Sequence, residues 1–533
     1  SLTSITFSDY KDLRMGNITN PFSDLLPRSD FYVERIGGQD TMLVSADKNK
    51  QRYTGYNQTD FLQKFLFQPN NKIRHVLSVH LSTSSNIPRY DRLVEKSGNL
   101  PRYAEWNYGP QLRVMGSYNL SATVSKKLMD YVQAVVAYQR IKESRINRRF
   151  GEEERKSNVE DVDVVSLNVD LSKQVKNHLV RYGLEATYNH VASTGTSFNI
   201  VTKHVQPEST RYPEGGTNTY SAAAYITNTW AFAKQWKLNG GIRFSYNGLD
   251  SKFGDSTILD LGTKKLQQSN GAVNGSLGIL WNNKGWTFTL LGSTGFRSPN
   301  LDDLGKVFNP QDGVLLVPNP NLKPTYLFGG EMAIRRSFGN NGKIEVVGYY
   351  SHLIDAIVRA PYAVNGNSSV LYQGELLQLF ANQNKQQAFI TGVSSNLALN
   401  IYNGLAATAS VTYTYGRVFT DTTLAPLDHI PPLFGKAGFQ HQWKRLRTEV
   451  YFNWSAWKLL KDYSVNGADN FETATVNGMP AWYTLNFRVS YGIIPSIRVQ
   501  VAVENILDQN YRAFGSSISA PGRNFLITLR ANL

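Results

Sequence analysis

The sequence predicts an all-β chain folded as a transmembrane, antiparallel, up-and-down β-barrel. Three observations predict it. Apolar and small polar side chains alternate strictly, connectors alternate between short and long, and aromatics gather near strand ends. Composition narrows the choice further. The 533 residues carry 12% aromatics, only 18% charged residues and no cysteine. Without cysteine there is no disulfide framework, thiolate metal site or cysteine nucleophile. No run of 18 or more apolar residues occurs, so no helix is expected to cross a membrane. A membrane protein of this composition has to be a closed barrel, because only that other fold satisfies every backbone polar group in lipid.

Alternation is clearest from Leu405. Leu405, Ala407, Ala409, Val411, Tyr413 and Tyr415 form one face; Ala406, Thr408, Ser410, Thr412, Thr414 and Gly416 form the other. A strand sends successive side chains to opposite faces, so one face is apolar and the other small and polar. Tyr483 to Tyr491 repeats the pattern against Thr484, Asn486, Arg488 and Ser490. Ile497 to Val503 repeats it against Arg498, Gln500 and Glu504, and Phe525 to Leu533 against Thr528, Arg530 and Asn532. About twenty strands of roughly ten residues can be read this way.

The connectors follow in order. The first strand, Leu2 to Leu13, runs into a long polar connector from Gly16 to Tyr53. Tight turns are predicted at Asn70-Asn71, Lys284-Gly285, Asn340 to Lys343, Asn403-Gly404, Lys444-Arg445 and Pro495-Ser496. Several carry the chemistry of two-residue hairpins, which demand positive φ. Long connectors are predicted at Asn86 to Gly109, Ser193 to Gly216, Asn300 to Pro324, Ala360 to Lys385 and Leu460 to Pro480. Long loops at one end and short turns at the other are the asymmetry of bacterial barrels. A soluble sandwich would also alternate. The aromatics Trp281, Trp286, Tyr413, Tyr415, Trp443 and Trp454 favour a membrane, where such rings form interfacial girdles.

No catalytic pattern is present, and the chain is not read as an enzyme. The eight histidines form no zinc-binding spacing; His75 and His80 lie five apart on a strand, hence on opposite faces. Gly339 to Lys343 resembles half a phosphate loop, but Ile344 stands where a magnesium-holding hydroxyl is needed. Asp302 and Asp303 are adjacent acids expected to diverge, and Glu152 to Lys156 is expected to be a solvated loop. No cofactor or metal is expected. The excess of 56 Lys and Arg over 41 Asp and Glu gives a net charge of +15. These cations are scattered rather than clustered into a stripe, so no nucleic-acid partner is expected. One loop is richer: Arg89, Tyr90, Arg92, Arg102, Tyr103, Trp106 and Tyr108. Arginine forks suit carboxylate or phosphate, and aromatics suit planar ligands; the same residues would equally pin a long loop onto its neighbours.

Several segments resemble a known family. Gly295-Phe-Arg-Ser-Pro-Asn-Leu-Asp-Asp-Leu-Gly305, followed by Val317-Pro-Asn-Pro-Asn-Leu-Lys-Pro324, is similar to the mid-barrel signature of TonB-dependent outer-membrane receptors, in the variant common in Bacteroidetes-type bacteria. Glu504-Asn-Ile-Leu-Asp-Gln-Asn-Tyr511, with Ser517 to Phe525, resembles that family's closing hairpin. Asn86 to Arg92 and Arg102 to Pro110 resemble its early loops. The resemblance covers essentially the whole chain. It implies a 22-stranded barrel in the outer membrane of a Gram-negative bacterium, with extracellular loops and periplasmic turns. It implies uptake of a scarce nutrient, such as a ferric siderophore, haem, vitamin or oligomer, driven by the inner-membrane TonB complex.

The family's plug domain and TonB box are not found in this sequence, and residues 1–533 are expected to be barrel throughout. The first readable strand resembles the third of the family barrel, so a plug and two strands are expected outside the chain. Ligand capture is assigned to Arg89, Tyr90, Arg92 and Trp106, with Arg297 at the mouth. The partners implied are outer-membrane lipid, the TonB complex through an N-terminal segment, and a surface lipoprotein or other outer-membrane subunits. Two other readings stand beside transport: a scaffold subunit of a larger outer-membrane complex, and an unplugged channel.

Overall fold

The computed structural model describes residues 1–253, 265–305, 313–372, 375–420, 423–464, 469, 471 and 474–532. Among them, twenty long strands build one sheet. The first half comprises β1 (Leu2–Tyr10), β2 (Tyr56–Asn70), β3 (Ile73–Ser84), β4 (Leu112–Thr123), β5 (Tyr131–Arg149), β6 (Glu154–Val175), β7 (His178–Asn199), β8 (Thr217–Ala233), β9 (Trp236–Lys252) and β10 (Lys265–Asn283). The second comprises β11 (Trp286–Arg297), β12 (Thr325–Ser337), β13 (Gly342–Pro361), β14 (Glu375–Tyr402), β15 (Leu405–Phe419), β16 (Phe434–Trp443), β17 (Leu446–Ser455), β18 (Trp482–Ile494), β19 (Ile497–Glu504) and β20 (Asn524–Ala531). Each pairs antiparallel with the long strand before and after it. Short segments at the loop end extend the ladder. One of them, Val314–Leu316, runs parallel to Gln378–Phe380. Among the described residues β1 has only β2 beside it, and β20 only β19, so each offers one free edge.

Connections from even to odd strands are short. Residues 403–404 turn β14 into β15, with Asn403 at φ 44° and Gly404 at φ 78°. Two consecutive positive φ values match the right-handed twist of the hairpin, and glycine adopts the second at no steric cost. All six predicted tight turns lie at this end. The opposite end carries the long connectors. Three expectations shift there. β7 continues to Asn199, past the predicted connector start at Ser193; β6 begins at Glu154, inside the predicted solvated loop; and β14 begins at Glu375. Strands that project beyond lipid have polar side chains on both faces, so the two-residue period fades although the ladder persists. Leu533 lies outside the described residues, as do 306–312, 373–374 and most of 465–473 within predicted connectors.

The two faces divide as the alternation demands. On β9 and β10, Ile242, Phe244, Val273 and Leu277 are exposed on the outer face, while Arg243, Ser245, Asn274 and Ser276 face inward. Aromatics bound the apolar band. At the turn end, Trp230 stacks on His178 at 5.3 Å, Trp236 meets Trp281 at 6.3 Å, and Trp281 meets Phe288 at 5.4 Å. At the loop end, Phe389 lies 6.0 Å from both Tyr350 and Tyr415. These rings are two girdles, with lipid on one side and water on the other. On β5 and β6 the band ends at Tyr138 and Val165; the next outward pairs are charged, and Arg140 bonds Asp161 at 2.7 Å.

Among the described residues the buried apolar side chains form several separate clusters rather than one core. The buried apolar clusters sit among the long connectors and strand ends of the loop end, notably Leu315, Val317, Leu377, Leu379 and Ala381, and Leu26 with Tyr463 and Met479. The wall itself rests on ladder hydrogen bonds and its outward apolar face. Among the described residues no helix is long and apolar enough to cross a membrane.

Candidate functional site

The loop-end mouth gathers the chemistry. Tyr103–Tyr108 extends the wall, pairing Trp106 with Asn147 and Tyr108 with Arg145 of β5. Two-residue spacing puts Trp106 and Tyr108 on one face, and their rings meet edge to face at 5.2 Å. The preceding chain folds back: the Arg89 amide donates to the Trp106 carbonyl at 2.9 Å. Its guanidinium then lies 5.0 Å from the Trp106 ring and 5.1 Å from that of Tyr108, with Arg145 5.5 Å from the same tyrosine. The result is an aromatic pair flanked by two cations.

Arg89 is also committed to protein partners. It forks onto Asp91, with Nε donating to Oδ1 at 2.7 Å, and donates to the Tyr108 hydroxyl at 2.5 Å. The Asp91 hydrogen bond raises its pKa despite burial, so it is a permanent cation. Arg92 faces elsewhere, donating to Glu95 at 2.6 Å. Tyr90 is only 5% exposed. It is sealed beneath the connectors, near Ser29 and Arg512, and burial pushes its phenol pKa up. Arg297, at the end of β11, pairs with Asp303 at 2.6 Å and stays half-exposed. Of the five residues assigned from sequence, the fold brings together Arg89 and Trp106; Tyr90, Arg92 and Arg297 each have separate surroundings. Asp302 and Asp303 diverge as expected: Asp302 accepts from the Tyr212 hydroxyl at 2.8 Å and pairs with Arg211 at 3.3 Å, while Asp303 caps the turn at Asn300.

Other residues at this end carry no local sequence signal. Arg148 and Asp40 are 3% and 1% exposed and bond at 2.6 Å, with Glu105 bonding Arg148 at 3.0 Å. Lys458 is buried and donates to the Ile430 carbonyl at 2.6 Å. Desolvation lowers its pKa, partly offset by Asp469 and Asp462. Asp469 accepts from the His429 and Ser464 amides at 2.6 and 3.1 Å. These contacts join chain segments far apart in sequence, which no motif announces. Among the described residues, no group of three or more His, Asp or Glu side chains is placed to hold a metal. The described part of the mouth presents cations and aromatic faces.

A family model for the TonB-dependent receptor-like β-barrel matches residues 33–506. The chain belongs to this family. A TonB-dependent receptor barrel explains the lipid-facing band, the girdles and the one-sided loops together. An iron-regulated outer membrane virulence protein of Vibrio cholerae is 22% identical over 375 residues, covering 69% of this chain and 51% of that protein. The chain thus spans about half the length of the curated relatives it matches. Among solved structures, the copper transporter OprC superposes with TM-score 0.76 at 13% identity, over 99% of this chain and 75% of OprC. The FrpB iron transporter of Neisseria meningitidis (F3-3 variant) gives 0.70 at 12%, over 99% and 76%. The Serratia marcescens hemophore receptor HasR, solved with its hemophore and heme, gives 0.68 at 12%, over 99% and 80%. At these identities the likeness concerns the fold. The names are those of receptors and transporters, not enzymes.

Proposed function

We propose that this TonB-dependent receptor barrel takes up a scarce nutrient across the outer membrane, energised by the inner-membrane TonB complex. The ligand class is that of iron carriers: a ferric siderophore or haem, with a vitamin or oligomer as the wider range. The observation that carries the reading is the mouth, where paired arginines and aromatic faces crown a polar lumen. Iron carriers are bulky, often planar and often anionic, which suits arginine forks and ring stacking. Arg89 and Trp106 form the capture surface, Arg92 and Arg297 sit apart from it at the loop end in their own ion pairs, and Tyr90 holds the loop beneath it. Long loops face the exterior and short turns the periplasm. The relatives named above, an iron-regulated outer membrane protein, an iron transporter and a hemophore receptor, support the same direction.

The reading also completes the wall. Two further strands between β1 and β20 would satisfy both free edges, which lipid penalises by several kcal/mol per unsatisfied group. A plug in the lumen and a segment that contacts TonB belong to the same proposal. The experiment is deletion of the gene followed by radio-iron uptake from ferric siderophores and haem. Loss of uptake from one carrier is expected; unchanged uptake from every carrier would count against the reading.

A further inference from the structure

The short-turn end carries positive charge that the conformation of its turns does not explain. Six turns there present an exposed lysine: Lys72, Lys127, Lys176, Lys234, Lys284 and Lys444. The acid among the described residues of these turns, Asp130, is bound to Lys173 at 2.7 Å. Lys176, Lys284 and Lys444 stand at φ 51°, 46° and 51°, in the turn position that Asn403 holds at 44°. A left-handed φ favours Asn or Gly and penalises a long side chain. Charge, not backbone preference, accounts for lysine at these three positions.

Placement gives that charge a direction. Trp286 and Arg336 are cross-strand partners on the outward face. The guanidinium lies 4.9 Å from the indole and donates to the Lys284 carbonyl at 2.7 Å. Lys444 lies 5.3 Å over the ring of Trp443, which is 60% exposed. In the turn that holds Lys127, Leu128 is 73% exposed, and its carbonyl accepts from the outward Tyr182 hydroxyl at 2.9 Å. Cations thus border the lipid-facing aromatic girdle, at headgroup depth, with apolar side chains on the lipid side. These groups occupy turn tips and the outward face. Neither the contents of the lumen nor strands beside β1 and β20 change their surroundings.

We propose that this rim binds anionic lipid headgroups of the leaflet at the turn end. Lys284 with Arg336 and Trp286, and Lys444 with Trp443, are its two phosphate-holding points. Basic side chains at a membrane surface attract anionic lipid. A guanidinium braced on an indole keeps further N–H groups to offer a phosphate. Lipid is favoured over a soluble polyanion because the cations adjoin the girdle. Binding is independent of the nutrient captured at the mouth and of which compartment the turns face.

The test uses the full chain folded into phosphatidylcholine vesicles. Brominated phosphatidylglycerol, or brominated phosphatidylcholine, is added to quench the girdle tryptophans. The anionic lipid should bind the barrel surface at least about threefold more tightly than the zwitterionic one. The triple variant Lys176→Asn/Lys284→Asn/Lys444→Asn places a turn-compatible residue at each position and should bring that ratio below about 1.5. Its denaturant midpoint checks folding. Lys284→Asn alone should lower the ratio in part. Lys203→Asn removes another left-handed lysine, at φ 65° in the loop end, and should leave the ratio unchanged. Three results would overturn the proposal: equal quenching by the two lipids, an undiminished ratio in the triple variant, or equal losses from Lys203→Asn and Lys284→Asn. In the second case, loss of co-sedimentation with purified peptidoglycan by the triple variant would assign the rim to the cell wall instead.

Discussion

Asp40 and Arg148, 108 residues apart in sequence, meet as a two-bond fork at 2.6 and 3.0 Å, sealed from solvent. Asp40 comes from the hairpin of Phe31–Ile36 and Gln39–Val44, which lies outside the barrel sheet; Arg148 is the penultimate residue of β5. The pair clamps that hairpin to the wall. Removing one partner of a buried pair costs about 3–5 kcal/mol when the other charge is left uncompensated; Arg148 keeps Glu105, so the cost here lies near or just under the lower bound. Asp40→Ala should therefore speed amide exchange in residues 31–44 by roughly a hundredfold, while the strand ladders stay protected. Unchanged exchange would show that the clamp contributes nothing.

The same clamp has a pH dependence of fixed sign. Burial tends to raise the Asp40 pKa, but hydrogen bonds from Arg148 and the Gly151 amide outweigh it and hold the carboxyl below its ordinary value. A depressed carboxylate stabilises fully above the unfolded value of about 3.9 and loses that contribution as pH falls through the folded value. Hairpin protection should be flat from pH 7 to about 5 and fall only in stronger acid. Protection that already declines near pH 6 would refute this assignment.

Adjacent residues on β10 test which face meets lipid. Leu277 is 61% exposed on the outward face; Ser276 looks into the lumen. An arginine at mid-bilayer depth costs about 2–4 kcal/mol on the lipid face of such barrels and little inside. Leu277→Arg should lower the stability of the vesicle-folded protein by that amount, whereas Ser276→Arg should cost less than about 1 kcal/mol. Denaturant titration in lipid reads both, and equal penalties would contradict the assignment of faces.

The turn at Asn403-Gly404 offers a local check. Gly404 sits at φ 78°, and a Cβ there would meet the carbonyl of Gln442. Gly404→Val should cost at least about 1–2 kcal/mol from backbone conformation alone. Gly348→Val is the control, since a Cβ at Gly348 meets open space. Refolding yield and denaturant midpoint distinguish them, the first variant falling well below the second.

At the mouth, Arg89→Lys keeps the charge but cannot hold Asp91 and the Tyr108 hydroxyl in one fork. Carrier affinity should fall about tenfold, whereas Arg297→Lys, in a half-exposed pair, should change it less than about threefold. Radio-iron binding to intact cells measures both. Larger loss at Arg297 than at Arg89 would move the capture surface towards β11.

Much of this architecture was readable beforehand, for particular reasons. Leu405 to Tyr415 could be assigned because lipid on one side and water on the other impose a strict period of two. Asn403-Gly404 could be assigned because few residue pairs tolerate two positive φ values. The extension of β7 past Ser193 could not, since both its faces are wet there. Arg89 and Trp106 stood out through composition, and the fold sets them side by side at 5.0 Å. Tyr90 carried the same composition yet is buried, because Ser29 and Arg512 arrive from connectors that no local pattern links to it. Asp40 and Arg148 were invisible for the same reason.

Because each long strand pairs only with its sequence neighbours, the wall is assembled from interchangeable hairpins. The chain needs no distant search to build any rung between β1 and β20. Loss or gain of one hairpin leaves every other register intact, so circumference can vary by pairs of strands while the mouth is rewritten loop by loop.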